Sequence, residues 1–240
     1  MAENRTSEYT EGVPCWVDVQ LPDVEAGKRF YGGLFGWTFD DAGGGAVWAR
    51  LDGVAVARLA RKRDGRMPTV WTVYFATPDV RDLARRILAV GGRIVNDPVP
   101  VGDLGTAALA ADPTGAVFGL WQAAGHPGFG VRHAPGGFAW AQLYTSDPDT
   151  ADAFYGHLFT AALFGAGAEP DVGRAPVTEV FAAGMPSQFV VHFRTGDVGA
   201  AVGAVLELGG RVQAPPFETS YGKVAVVTDN QGATFALLQR

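Results

Sequence analysis

Two stretches of this chain are versions of one another: PCWVDVQLPDVEAGKRFYGGLFGW at residues 14–37 and FAWAQLYTSDPDTADAFYGHLFT at residues 138–160. An offset of 124 superposes Trp16 on Trp140, Asp23 on Asp147 and Phe30-Tyr31 on Phe154-Tyr155. Two further blocks follow in the same order. DVRDLARRILAVGGRIV, residues 79–95, answers to DVGAAVGAVLELGGRVQ, residues 197–213. ADPTGAVFGLWQ, residues 111–122, answers to TDNQGATFALLQ, residues 228–239. Matched blocks in one order mean a duplicated domain. The Gly/Pro-rich segment GHPGFGVRHAPGG between them has linker composition, so the expected domains are residues 11–124 and 134–240.

Each half repeats a smaller plan in which a strand runs into an Asp, the Asp caps a helix, and further strands follow. Val80, Leu83, Ala84, Ile87 and Val90 form one apolar stripe opposite Arg81, Arg85 and Arg86, the pattern of an amphipathic helix. Asp79 is its expected N-cap and Gly91-Gly92 its stop. Side chains alternate along strands, which splits the strands before the helices into two faces. Cys15, Val17, Val19 and Leu21 oppose Trp16, Asp18 and Gln20; Ala139, Ala141 and Leu143 oppose Trp140, Gln142 and Tyr144. Trp71, Val73 and Phe75 oppose Thr72, Tyr74 and Ala76; Phe189, Val191 and Phe193 oppose Val190, His192 and Arg194. The apolar sets are expected under the helices. The other sets mix rings with polar groups, which suits a concave pocket for a small molecule or a surface packed on the other domain.

A net charge of −6 without like-charge runs leaves no basic footprint for nucleic acid. The single Cys15 rules out an internal disulfide and a cysteine-based zinc cluster. The polar first dozen residues are no secretory signal, and no apolar stretch is long enough to span a bilayer. The expectation is a soluble cytoplasmic chain without nucleic-acid or membrane partners, compatible with a homodimer. Gly43–Gly45 lacks the Gly-Lys-Ser/Thr of a phosphate loop, and no Gly-x-Ser-x-Gly elbow occurs.

The strand–Asp–helix openings with Phe-Tyr, the paired Gly-Gly helix ends and the DPTG and DNQG turns resemble the vicinal oxygen chelate superfamily. That group includes glyoxalase I, bleomycin-resistance proteins and extradiol dioxygenases. The resemblance implies an α+β fold of two tandem domains, each of paired βαβββ modules forming a curved mixed sheet around a cup. Carried over by position, the superfamily's metal ligands fall on Trp16, Thr72 and Gly119 in the first half and Trp140, Val190 and Ala236 in the second. None offers the imidazole, carboxylate or thiolate that a divalent ion needs, so no metal and no cofactor are expected. The repeated tryptophan stands where a ligand would, a flat apolar wall with one N–H donor.

The ligand-binding candidates are therefore Trp16, Gln20, Thr72, Tyr74, Trp121, Trp140, Gln142, Tyr144, His192 and Arg194, with Asp18 the candidate acid/base. His192 and Arg194 either recognise an anion or form a structural ion pair. His126 and His133, in the linker, and His157, on a helix, are expected at the surface, and Cys15 as a buried structural thiol. Three functional readings stay open: metal-independent binding of an aromatic or hydrophobic molecule, an isomerase-, lyase- or hydroxylase-like enzyme using Asp18, and an interaction protein with degenerate cups.

Overall fold

The computed structural model describes residues 9–159, 163–164, 171–182 and 184–240. The first half runs β1 (Pro14–Leu21), α1 (Val24–Phe35), β2 (Thr38–Gly43), β3 (Ala46–Leu51), β4 (Val54–Arg61), β5 (Trp71–Ala76), α2 (Val80–Ala89), β6 (Arg93–Val101), β7 (Gly105–Ala111) and β8 (Val117–Ala123). The second runs β9 (Phe138–Thr145), α3 (Pro148–Leu158), β10 (Val172–Pro176), β11 (Gln188–Arg194), α4 (Val198–Glu207), β12 (Arg211–Thr219), β13 (Gly222–Thr228) and β14 (Thr234–Gln239). The strands form two curved mixed sheets, ordered β2-β3-β4-β1-β5-β8-β7-β6 and β10-β9-β11-β14-β13-β12. This is the α+β architecture the repeats imply. No helix among the described residues is long and apolar enough to cross a membrane.

Contacts divide the chain into two compact units that cut across the sequence halves. One holds Met1–Trp16, Val73–Gly128 and Ala141–Phe189; the other holds Val17–Thr72, Phe129–Trp140 and Val190–Arg240. The opening strands β1 and β9 are each shared by the two.

Among the described residues, the four α-helices each start on the Asp the sequence marks. Asp23, Asp79, Asp147 and Asp197 each take an extended backbone and accept from a first-turn amide, a contact worth about 1 kcal/mol apiece. The paired glycines divide the labour at the ends of α2 and α4. Gly91 and Gly209 adopt φ +89° and +86°, and the next amides, of Gly92 and Gly210, donate to Ile87 and Val205 at 3.0 and 2.8 Å, a Schellman closure. The second glycine is needed for space: a Cβ on Gly92 would meet Ile87 at 2.7 Å and Phe154 at 2.8 Å.

In the first unit Phe75, Phe118, Tyr155 and Phe189 pack ring against ring, with Phe118–Tyr155 and Phe75–Phe189 centroids both 5.6 Å apart. In the second unit Tyr31 is encircled by Phe30, Phe35, Trp37, Trp71 and Phe235 at 5.1–6.4 Å. The repeated Tyr of α1 and α3 also meets the Asp of a DxxG turn. Tyr155 donates to Asp112 at 3.1 Å in the first unit, and Tyr31 to Asp229 at 2.8 Å in the second. Those carboxylates meanwhile accept turn amides, Thr114 and Ala116 at Asp112, Gln231 and Ala233 at Asp229. Burial next to a carboxylate raises both phenols well above their ordinary range.

On β5 and β11 the strand faces have the parity the alternation implies. Burial alone does not separate the faces, since Val17, Val19, Leu21, Val73 and Phe75 are fully buried and Trp16, Asp18 and Tyr74 are only 4–8% exposed. Trp71 and Phe193, from the same face, touch the α1 rings Tyr31 and Phe35 at 5.3 and 5.2 Å. Cys15 is buried as expected, its thiol 3.4 Å from the Tyr74 carbonyl.

Candidate functional site

The cup face of the first unit gathers Trp16, Tyr74, Trp121 and His126. Parallel pairing of β5 with β8 sets Tyr74 beside Gly119, and a Cβ on Gly119 would overlap the phenol ring. Glycine here lets Tyr74 lie across the neighbouring strand. The His126 ring stands edge-on to Trp16 with centroids 4.3 Å apart, and lies 5.9 Å from Trp121. Trp121 Nε1 donates to the His126 carbonyl at 2.9 Å, and the His126 amide donates to Leu104 at 3.0 Å. The expected surface position of His126 is thus corrected. Burial against the indoles lowers its pKa to about 4, so the imidazole is neutral at pH 7. His133 is half-buried rather than exposed, while His157 is exposed as expected.

Gln142 and Tyr144 also belong to this unit and are buried; Tyr144 meets Phe181 at 5.2 Å. A depression of about 330 Å³ lined by Val90, Pro113, Thr150, Ala153, Phe154 and His157 lies at the helix ends, away from these residues. In the second unit Leu208 comes within 2.9 Å of where a Cβ on Gly33 would stand. Gly33 corresponds in the repeat to His157, and Leu208 to Val90. The hollow therefore follows from divergence of the two copies at a packing position.

The second unit brings together Trp140, Tyr221 and His192. Tyr221, in the two-residue turn between β12 and β13, stacks on Trp140 with centroids 4.6 Å apart and planes 13° apart. His192 lies 6.1 Å from Tyr221 and is fully buried. Its Nδ1 faces the Val190 carbonyl at 3.0 Å, which makes Nδ1 the donor and leaves Nε2 an acceptor with no hydrogen-bond partner among the described residues. Burial lowers its pKa to about 4. The Arg194 guanidinium donates to main-chain oxygens of His133 and Arg240, in place of the side-chain carboxylate of a structural ion pair.

Asp18, Gln20 and Thr72 also lie in this unit. Asp18 is 8% exposed, and Gln20 and Thr72 are half-buried. Strand register adds two residues that the sequence analysis missed. Asp18 pairs with Arg58 on β4, and Arg58 with Trp48 on β3, so the three form one row across three strands. The next row on the same face is Gln20, Ala60 and Ala46. Alternation within β4 marks Arg58 as opposite in face to the buried Leu59, but only the register joins it to Asp18.

The resemblance implies a divalent metal, and the donor set does not fit one. Trp16, Thr72 and Gly119, like Trp140, Val190 and Ala236, supply no metal-binding side chain. Tyr74 fills the space into which a longer side chain at position 119 would project. Among the described residues, no three His, Cys, Asp or Glu side chains cluster closely enough to hold an ion.

This geometry agrees with what the chain is similar to. The model of the glyoxalase/bleomycin resistance protein/dioxygenase superfamily matches residues 15–120. The protein named "Putative glyoxylase CFP32" of Mycobacterium tuberculosis is 37% identical over 254 residues, 98% of this chain and 97% of the relative. The anthracycline biosynthesis protein DnrV of Streptomyces peucetius is 33% identical over 97% of this chain and 95% of its own length. Among solved structures, the Mn(II)-bound glyoxalase of Novosphingobium aromaticivorans superposes with a TM-score of 0.64 at 14% identity, covering 96% of this chain and 83% of that one. The 2,3-dioxygenase LapB of Pseudomonas sp. KL28 gives 0.63 at 15% identity, over 97% and 94%. The chain belongs to the glyoxalase/bleomycin resistance protein/dioxygenase superfamily.

Proposed function

We propose that the chain binds a small, flat aromatic or hydrophobic molecule on its cup faces without a metal, as a sequestering or resistance protein does. The observation that carries this reading is that each repeated tryptophan already stands ring to ring with another aromatic side chain. Trp16 meets His126 and Trp140 meets Tyr221. A ligand ring that takes the place of His126 or Tyr221 would meet the indole by the same edge-on or offset contacts. Both imidazoles are neutral at pH 7, so each cup presents hydrogen-bonding groups without a full positive charge from histidine. In this reading Trp16, Tyr74 and Trp121 wall one site and Trp140 and His192 the other, with Gln20, Thr72, Gln142, Tyr144 and Arg194 around them. The name of the Streptomyces relative supports it, since anthracyclines are fused-ring aromatic compounds.

The name of the mycobacterial relative favours a second reading, an enzyme in which Asp18 moves a proton as general acid or base. Titration calorimetry with a panel of aromatic compounds separates the two. Trp16→Ala is expected to weaken binding about 10- to 100-fold, the scale of losing a buried aromatic contact. Turnover that Asp18→Asn abolishes would favour the enzyme. Compounds that bind Trp16→Ala and Trp140→Ala as tightly as wild type would remove both tryptophans from the site.

A further inference from the structure

We propose that Arg58 is the hydrogen-bond donor for a carbonyl oxygen on the bound aromatic molecule, so that the ligand class is neutral aryl ketones and quinones. This rests on the reading above and narrows it. Arg58 Nε is buried and has no hydrogen-bond partner among the described residues, although its side chain is part-exposed and forms no ion pair there. A buried donor without an acceptor costs free energy unless something else supplies the acceptor. Structural arginines ordinarily fill such donors with carboxylates or carbonyls, as Arg86 does with Asp82, Glu11 and the Leu158 carbonyl.

The surroundings of Arg58 have the form of a site. Trp48 flanks it on β3 and supplies a flat wall. The adjoining row is Gln20, the half-buried Ala60 and the buried Ala46, two small side chains ending in an amide. Asp18 flanks Arg58 on the other side. A carboxylate there repels an anionic ligand and offsets the guanidinium charge, which selects a neutral acceptor over an acid. A ketone or quinone oxygen accepts in the plane of its ring and leaves the ring itself to lie against Trp48. Every residue in this argument belongs to the second unit.

The test is titration calorimetry of the full chain with three compounds of one shape: 2-acetonaphthone, 2-ethylnaphthalene and 2-naphthoate. Wild type is expected to bind the ketone at least about tenfold tighter than the other two, the scale of one hydrogen bond to a charged donor. Arg58→Met is expected to erase that preference while keeping hydrocarbon binding. It should also raise Tm by a few degrees, because the orphaned donor is gone. Arg58→Lys, which keeps the charge and loses Nε, is expected to lose most of the preference as well. A ketone preference that survives both substitutions overturns the inference and leaves aromatic binding standing. A lower Tm for Arg58→Met identifies a structural arginine and overturns it too. Tightest binding of 2-naphthoate would show an anion site instead. Failure of wild type to bind any of the three would sink the inference together with the reading beneath it.

Discussion

Acidification from pH 7 to about 4 is expected to remove about 3 kcal/mol of folding stability at His192 alone. In the unfolded chain this imidazole takes up a proton near pH 6.5; in the folded protein burial holds it neutral to about 4. Between those values the unfolded state binds more protons, so stability is present above pH 6.5 and is lost as pH falls through the window. The interval from pH 6.5 to about 4, at about 1.4 kcal/mol per pH unit, sets the scale. His126 pulls in the same direction, with its own value near 4. Asp229 works against both: burial raises its folded pKa, so the folded state is first to take its proton as pH falls. Urea unfolding at intervals from pH 7.5 to 4.5 measures the sum, and His192→Gln isolates one of the two histidine parts. The variant should lose much of the wild-type pH slope. Equal slopes would mean that His192 is protonated or hydrated in the folded protein.

The duplication made the fold legible, because its signals are local. An Asp before an apolar stripe, a Gly-Gly stop and an alternating strand each act within a few residues, and the structure keeps all of them. What the sequence could not show is which distant residues share a face. Phe-Tyr and DxxG read as separate punctuation, yet Tyr31 and Asp229 form one buried bond across 198 residues. Arg58 and Trp48 went unnoticed because their place beside Asp18 is a matter of strand register. His126 looked like linker for the opposite reason: Gly and Pro surround it, and composition does not reveal that a loop lays its imidazole on Trp16. The covers over the two tryptophans also come from different elements. Tyr221 belongs to a hairpin turn whose counterpart in the first half carries Leu104, whereas His126 belongs to the segment joining the halves.

The Tyr–Asp pairs should be the most sensitive points of the core, and the two copies should differ in a defined way. Tyr31→Ala is expected to cost about 4 kcal/mol or more, since it empties the centre of a five-ring cluster in the second unit. Tyr31→Phe keeps the ring and removes only the hydroxyl, but that oxygen has two partners. It donates to Asp229 at 2.8 Å and accepts from Trp71 Nε1 at 2.9 Å. Its loss strips Asp229 of a donor and leaves the indole N–H without this acceptor, for a cost of about 2–3 kcal/mol. In the first unit Tyr155 donates to Asp112 at 3.1 Å, but the residue matching Trp71 in the repeat is Phe189, which has no N–H to satisfy. Tyr155→Phe should therefore cost about 1 kcal/mol less than Tyr31→Phe. The asymmetry has its own control. Trp71→Phe in the Tyr31→Phe background removes the orphaned N–H, so the double variant should be less destabilised than the two single costs added together. Chemical denaturation of the four proteins closes the cycle, and strict additivity would show that the Trp71–Tyr31 bond contributes nothing.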